Sequence, residues 1–350
     1  GAVMNTPEKP VPPKQIKIVN LDRQMSVVRF SNDGKLLVAG GQDATVRRLD
    51  AATPDLKPLS LLTGHGGWVT ALAFHPDGKR LLTADSWGRL TCWPFAEAAP
   101  KPLWTIAQAH DGWLRSLSIH PDGACVATGG ADGKVRIWSC GDGKKQRELT
   151  ASDVEVYSVV YHPDGKSLIG GDGKAMVKQW DLSSGKVVRV MDAPSMYGVF
   201  ALQELGGARV MRFDAGGTTL AVAGVLCGSK GLGAPCILLF DWTSGKAVHT
   251  IKLPGKGYVY DLVFHADGFL MAVTNGSPGQ GMLLFVKSCE ETPFFQKALP
   301  NPHALALHPG GKRLIVSATN NGSNGNGRNL GKNKDYPGNY SPLYVYDLPS

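Results

Sequence analysis

The sequence predicts an all-β fold made of seven consecutive repeats, each with several short strands. Three observations predict it: a five-residue phrase that recurs along the chain, a spacing near 45 residues between its copies, and strand-like apolar runs on both sides of each copy. The phrase is HPDGK at 75–79 and 162–166, with variants at 31–35, 120–124, 265–269 and 308–312. A seventh, degenerate copy is FDAGG, which ends at Gly217.

The glycine of each phrase serves as an anchor for the repeat. The anchors are Gly34, Gly78, Gly123, Gly165, Gly217, Gly268 and Gly311, at intervals of 44, 45, 42, 52, 51 and 43 residues. Length alone suggests two or three domains for 350 residues. A fixed internal period overrides that count, because each unit of such an array buries its apolar face only against its neighbours.

The residues of the phrase suit a tight turn between two strands. Pro presets the first central position of a type I turn, Asp suits the second, and Gly takes the left-handed conformation that closes a hairpin with a bulge. Five of the nine histidines precede these turns. Since they lie on separate turns, we predict no metal site.

A third strand-like run follows each anchor and ends in a large apolar residue. Four of these ends are Leu49, Trp93, Trp138 and Trp180, and Trp180 is followed by Asp181. Gly64-His65 and Ala109-His110 precede two of the repeats. With the period, these features resemble the WD40-repeat family over about residues 15–348.

The resemblance implies a seven-bladed β-propeller with four-stranded antiparallel blades around a central channel. It also implies that a leading strand, 15–20, closes the last blade, which removes the free sheet edges. We predict a flexible segment at 1–14 and then one propeller at 15–350. The predicted blades are approximately 21–62, 63–106, 107–150, 151–192, 193–252, 253–299 and 300–350.

His110, Thr128 and Asp132 have the residue types of a catalytic triad, but the resemblance assigns them a structural role. Together with Trp138 they match the hydrogen-bonded tetrad of a WD40 blade. The preceding unit keeps His65, Thr83 and Trp93, but Trp87 stands where the Asp is expected. The full set is therefore predicted in one repeat alone, as in a divergent member of the family.

Insertions predict which face carries function. They lengthen the connection between the second and third strands of the last three repeats, most of all at 319–342, and loops carry function more often than their scaffold. The 319–342 insert is either flexible or folded over the channel, and its single carboxylate, Asp335, disfavours calcium. Cys227 and Cys236 in the fifth repeat are predicted to form a disulfide or, alternatively, to remain separate thiols. The other four cysteines have no zinc-ligand spacing.

The start of each first strand gives the candidate binding residues. Positions eight and ten before the anchor glycines open onto the channel mouth in WD40 proteins and are rich here in the residue types of binding hot spots. The candidates are Trp68, Trp113, Arg115, Tyr157, Arg209, Tyr258, Tyr260 and His303. Blade packing is the alternative role for some of them, particularly the two tryptophans.

We therefore predict a non-enzymatic scaffold that binds a protein or peptide at this top face. The alternative is a small-ligand-binding or hydrolase-like and lactonase-like propeller, since a fold does not fix a function. No nucleophile elbow, HExxH motif or phosphate loop supports chemistry. We predict no cofactor and a monomeric propeller, which could be part of a larger polypeptide.

Composition narrows the partner classes. The net charge of +8 is spread over turns without a dense basic block, so nucleic acid is not favoured. No apolar run is long enough to cross a membrane. The chain begins with Gly rather than Met, and we expect a preceding signal peptide or domain to have been removed. With the predicted disulfide, this favours a periplasmic or secreted bacterial protein over a cytoplasmic one.

Overall fold

The chain folds into seven four-stranded antiparallel sheets and one extra two-stranded hairpin. The structure, a computed structural model, describes residues 11–149, 152–228, 231–276, 279–320 and 340–349. Blades 1 to 4 are β2–β5, β6–β9, β10–β13 and β14–β17; blades 5 and 6 are β20–β23 and β24–β27; blade 7 is β28–β30 with β1. The predicted all-β, seven-bladed propeller is confirmed.

The strand bounds of the first four blades, with the leading strand, are as follows. They are β1 (Lys14–Leu21), β2 (Met25–Phe30), β3 (Leu36–Gly41), β4 (Val46–Asp50), β5 (Lys57–Pro58), β6 (Val69–Phe74), β7 (Leu81–Asp85), β8 (Leu90–Trp93), β9 (Trp104–Ile106), β10 (Leu114–Ile119), β11 (Cys125–Gly130), β12 (Val135–Ser139), β13 (Lys145–Leu149), β14 (Val156–Tyr161), β15 (Ser167–Asp172), β16 (Val177–Asp181) and β17 (Val187–Val190).

The second part of the chain begins with a single 3₁₀ turn, Pro194–Met196. Its strands are β18 (Tyr197–Phe200), β19 (Gln203–Gly206), β20 (Val210–Phe213), β21 (Thr219–Gly228), β22 (Gly231–Asp241), β23 (Ala247–Lys252), β24 (Tyr258–Phe264), β25 (Phe269–Asn275), β26 (Gly281–Lys287), β27 (Phe295–Ala298), β28 (Pro302–Leu307), β29 (Arg313–Ala318) and β30 (Ser341–Asp347). Among the described residues, no helix has the length and apolar character needed to cross a membrane.

The leading strand closes the ring as predicted. β1 is the outer strand of blade 7 and pairs antiparallel with β30, with Ile18 opposite Tyr344 and Leu21 opposite Ser341. This pairing joins the two ends of the described chain. It leaves β30 hydrogen-bonded on both sides, between β1 and β29.

The recurrent turns join the first and second strands of the blades. All seven anchor glycines have positive φ, between 67° at Gly217 and 93° at Gly268. In blade 2, Gly78 donates its N–H to the carbonyl of His75, and the side chain of Asp77 accepts the N–H of Lys79. We call the face with these turns the bottom face and the opposite one, where each first strand begins, the top face.

Apolar side chains fill the space between neighbouring blades. Seven buried clusters occur, and each combines residues of two adjacent blades. Between blades 6 and 7, for example, Phe285 packs with Leu314 and Tyr346. Adjacent sheets therefore stabilise one another.

Blade 5 has one feature that was not foreseen, the extra hairpin, and one that was, the insertion between its second and third strands. The extra hairpin β18–β19 precedes its first strand, where the interval between anchors is 52 residues. The blade 5 insertion lengthens β21 and β22 into one long hairpin, in which Cys227 lies opposite Leu232 and Cys236 lies opposite Gly224. Because this register places the two cysteines at different levels of the hairpin, the predicted disulfide does not form, and both thiols are free.

Two other predicted segments lie largely outside the described residues. Of the flexible segment at 1–14, the structure describes residues 11–14, and Lys14 already begins β1. Of the long insert at 319–342, it describes residues 319–320 and 340–342.

Candidate functional site

The four tetrad residues of blade 3 lie in one buried chain of hydrogen bonds. His110 Nδ1 is 2.9 Å from Asp132 Oδ1, and His110 Nε2 is 2.6 Å from Thr128 Oγ1. Trp138 Nε1 donates to the same hydroxyl at 2.9 Å. Burial lowers the pKa of His110, and a neutral ring with its proton on Nδ1 fits these partners. The chain ties the loop that precedes β10 to β11 and β12.

Electrostatics keep the carboxylate of Asp132 ionised. Burial by itself raises its pKa, but hydrogen bonds from His110 and the Asp111 N–H lower it below its usual range. Because His110 and Thr128 are fully buried, no substrate reaches these groups. The geometry is that of a structural network.

Blade 2 has the same network, contrary to the prediction that blade 3 alone carries it. His65 Nδ1 is 2.8 Å from Asp85 Oδ2, and its Nε2 is 2.6 Å from Thr83 Oγ1. Trp93 Nε1 donates to Thr83 at 2.9 Å. Asp85 is two residues earlier than expected, and Trp87, at the expected position, is 69% exposed.

The structure shows why an aspartate at position 85 can reach the histidine of the network. Asp85 precedes Trp93 by the same number of residues as Gly130 precedes Trp138. A Cβ atom placed on Gly130 would lie 2.9 Å from the His110 ring. A carboxylate at this end of the second strand therefore reaches the histidine as well as one in the following turn does.

Blades 1 and 4 keep fragments of the network. In blade 4, Asp172 occupies the position of Asp85 and accepts a hydrogen bond from Ser152 Oγ at 2.9 Å. Gly170 stands where the threonine would be, and Trp180 Nε1 has no hydrogen-bond partner among the described residues. In blade 1, Arg47 is paired with Asp22 at 2.9 Å and with Asp43 at 3.1 Å.

The eight candidate binding residues lie near the starts of the first strands, on the top face. Five of them line the channel mouth: Arg115, Tyr157, Arg209, Tyr260 and His303. Six of the eight form one continuous arc of alternating aromatic and guanidinium groups. Trp68 meets Trp113 edge-on, with ring centroids 5.5 Å apart, and Arg115 lies 4.4 Å from the Trp113 ring. Tyr157 lies between the two arginines, 6.0 Å from Arg115 and 4.1 Å from Arg209.

The arc continues into blade 6 and meets a second aromatic pair. Arg209 also lies over Tyr258, at 4.5 Å. Tyr260 and His303 make an edge-on pair with centroids 5.9 Å apart, and Tyr260 is 44% exposed. The other members of the arc are half-buried. The residues are thus packed against one another and still open to solvent, so packing and partner contact are compatible roles.

The two arginines of the arc differ in whether a carboxylate compensates their charge. Arg115 is paired with Glu155, whereas the side chain of Arg209 donates to the Gly206 carbonyl at 3.2 Å and forms no ion pair within the described part of the chain. Burial lowers the pKa of His303 to about 4, so this ring is neutral near pH 7. Arg209 is therefore the main uncompensated charge of the arc.

A charge cluster around the buried Asp261, inside the channel, was missed by the sequence analysis. Asp261 bridges Arg29 at 3.3 Å and Arg212 at 3.2 Å, and its Oδ2 also accepts the Leu305 N–H. Burial and the nearby Arg29 lower the pKa of Arg212 to about 10. The sequence does contain a signal for this cluster. Arg29 and Arg212 both stand five residues before an anchor glycine, near the ends of first strands, so they occupy equivalent positions in two repeats.

Exposed apolar residues add to the top face near blade 5. They lie on the extra hairpin and on β22, and they are Val199, Phe200, Leu202 and Leu232. Leu202, at the hairpin tip, is 98% exposed and has a φ of 65°. The 52-residue interval was the signal for this hairpin.

Comparison with known families agrees with this geometry. The family model described as WD domain, G-beta repeat matches residues 22–48, 56–93, 100–139 and 143–181. Residues 22–181 of the chain contain WD40 repeats. The matches fall within blades 1 to 4, where the tetrads or their fragments occur; the described residues of blades 5 to 7 have the same architecture without a tetrad.

Curated relatives match over short stretches. Nuclear distribution protein nudF 2 of Aspergillus clavatus is 34% identical over 77 residues, or 22% of this chain and 17% of the relative. Nuclear distribution protein PAC1-2 of Uncinocarpus reesii is 37% identical over 67 residues, 19% of this chain and 14% of the relative. A 66 kDa stress protein of Physarum polycephalum is 34% identical over 70 residues, 20% of this chain and 12% of the relative.

The chain thus spans less than a fifth of the length of these relatives in the matched stretches. The three organisms are eukaryotes, so they give no support to the expected bacterial origin.

Proposed function

We propose that this WD40 propeller is a non-enzymatic scaffold that binds a protein or peptide with the top face at the channel mouth. The observation that carries the proposal is the arc from Trp68 to Tyr258, in which two guanidinium groups lie against aromatic rings. Tryptophan, tyrosine and arginine dominate the binding energy of protein interfaces because they bury much area and still donate hydrogen bonds. Stacked side chains also lose less conformational freedom when a partner binds.

Arg209 indicates which chemical group of the partner binds to the arc. It lies between two tyrosines and has no carboxylate partner among the described residues, so a carboxylate or phosphate group of the partner finds an unpaired charge there. Tyr260 supplies exposed aromatic surface beside it. We therefore expect the partner to present an acidic group next to an apolar side chain.

The alternative of an enzyme in the channel mouth has less support. The cavity between the first strands holds about 160 Å³, which is below the usual range for small-molecule sites, about 300–1,000 Å³. The charge cluster beneath it is already paired within itself.

Quantitative affinity capture from the native extract tests the proposal. Arg209→Ala and Tyr260→Ala are each expected to weaken capture of a partner by about 30-fold, the loss expected for a hot spot of about 2 kcal/mol. Arg189→Ala is the matched control, because Arg189 also lies over an aromatic ring, Trp242, at 4.4 Å but on the outer strand β17. A partner that the control and both top-face variants capture equally would refute this site.

A further inference from the structure

The turn histidines hold neighbouring blades together on the bottom face. His75 Nε2 is 2.7 Å from the Gly123 carbonyl oxygen of the next blade, and His120, His162 and His265 make the same contact with the following turn at 2.8, 2.8 and 2.9 Å. The Nδ1 atom of each ring accepts an N–H of its own turn. Each imidazole therefore fills the gap between two turns and satisfies both.

Two of the seven turns have no histidine. In blade 1, Ser31 replaces it, and the neighbouring Asn32 reaches across instead, to the His75 carbonyl at 2.9 Å. In blade 5, Asp214 replaces it and turns back on its own loop, where it accepts the N–H groups of Thr218 and Thr219.

Blade 5 consequently sends no turn side chain to the anchor glycine of blade 6. A Cβ atom on Gly268 would meet no atom within 4 Å, whereas one on Gly123 would lie 2.6 Å from the His75 ring. The Gly268 carbonyl accepts no hydrogen bond from the described part of the chain. This interface lacks the ring that five others have, four of which hydrogen-bond to the next turn.

A large cleft occupies this position. It measures about 950 Å³ and lies between blades 5 and 6, with its far wall in blade 7. Phe213, Leu239, Val248 and Phe264 supply apolar wall, and Gly268 lies in the lining. A smaller cleft of about 560 Å³ lies at the other interface without a histidine, beside Gly78. Both clefts thus coincide with a missing imidazole.

We propose that the cleft between blades 5 and 6 binds a small, neutral, planar heteroaromatic molecule with a ring N–H, of the indole or imidazole class. The ring takes the place that the turn histidine has at the other interfaces, between the loop of Asp214 and Gly268, and donates its N–H to the Gly268 carbonyl. The apolar walls suit a flat ring, and the volume lies in the range of small-molecule sites. The site is on the face opposite the proposed partner surface and does not depend on it.

Titration with indole, followed by amide NMR shifts, tests the proposal. Indole is expected to shift the signals of Gly268, Phe264 and Cys289. 1-Methylindole has nearly the same shape but no N–H, so it is expected to bind about fivefold to tenfold more weakly, the share of one hydrogen bond. Equal affinity of the two compounds would overturn the assigned hydrogen bond, and no shift at these residues with either indole or imidazole would overturn the site.

Two variants block the cleft in different ways. Asp214→His restores the missing ring and is expected to abolish indole binding, while Ser31→His makes the same repair at the other interface and leaves binding unchanged. Ala215→Trp covers the cleft from an exposed turn position, so it keeps the test available if Asp214→His does not fold. Wild-type affinity in a folded Asp214→His or Ala215→Trp protein would overturn the proposal.

Discussion

The carboxylate of Asp85 is fully buried and is the acceptor for four groups, the ring of His65 and the backbone N–H groups of Gly66, Trp87 and Arg89. Replacing it with alanine leaves these four donors, among them the buried Nδ1 of His65, without this acceptor. We expect Asp85→Ala to lower the free energy of unfolding by about 1–3 kcal/mol, the cost of an unsatisfied buried polar group. Chemical denaturation measures this difference.

Trp87→Ala is the matched variant, because Trp87 stands at the position where the family pattern places the aspartate. Its side chain is 69% exposed, so we expect a change within about 0.5 kcal/mol. A larger loss for Trp87→Ala than for Asp85→Ala would show that the network of blade 2 is not the one described.

His303 makes stability depend on pH. Burial lowers its pKa from 6.5 to about 4, so the unfolded chain binds a proton at a higher pH than the folded chain does. The stability that the neutral ring contributes is complete above pH 6.5 and is lost as the pH falls towards 4. We expect acidification across this window to cost wild type about 1–3 kcal/mol more than His303→Gln.

Unfolding free energies at pH 7, 5.5 and 4.5 give the comparison. Ser26→Ala serves as the control at the same channel mouth, since its buried hydroxyl has no hydrogen-bond partner among the residues that the structure describes and its loss does not alter proton binding. Parallel pH profiles for wild type and His303→Gln would contradict the prediction.

The β18–β19 hairpin carries backbone strain at its tip. Ala201 and Leu202 have φ values of 48° and 65°, a conformation that costs about 1–2 kcal/mol for each residue with a side chain. Two-residue hairpin turns of this kind prefer Asn-Gly. We expect the double change Ala201→Asn and Leu202→Gly to stabilise the hairpin by about 1–2 kcal/mol, measured by hydrogen exchange of its amides.

Leu202→Ala separates this strain from the exposed side chain. It removes the apolar group but keeps a Cβ atom at positive φ, so we expect no gain in protection. Equal protection in the Asn-Gly and alanine variants would show that exposure, rather than backbone conformation, sets the stability of the hairpin.

Elements whose sequence signal is local were predicted, and elements set by contacts between blades were not. The turn of 75–79 follows from the conformations of Pro, Asp and Gly, and counting back from Gly217 and Gly268 reached Arg209 and Tyr260. The spacing rule missed Asp85, because two different positions bring a carboxylate to the same histidine. Of the two alternatives for Cys227 and Cys236, the structure has the free thiols, because the strand register, which spacing along the chain does not give, separates them.

The contacts that cross the ring were beyond the sequence for the same reason. The bond from His75 to Gly123 joins residues 48 positions apart, and Asp261 pairs with Arg29 from 232 positions away. A repeat pattern fixes which residues recur, but the neighbour of each residue is known only once the blades are placed in order around the channel. The site is therefore a property of the whole ring.

Closure by β1 is the contact on which that ring depends most directly. β1 covers β30, whose Leu343 and Val345 are fully buried in the cluster between blades 7 and 1. Without β1, β30 becomes a free edge, which is a template for pairing between chains. We expect a chain that lacks residues 1–21 to unfold at a lower temperature and to associate, as measured by calorimetry and size-exclusion chromatography.

A chain that lacks residues 1–10 is the control, because β1 begins at Lys14 and its pairing with β30 remains intact. It is expected to match the full chain in unfolding temperature and elution volume. The chain that lacks residues 1–21 could also remain monomeric with an unchanged unfolding temperature. In that case the pairing of β30 with β29 would be sufficient to hold blade 7, and ring closure would not be the source of the stability of the propeller.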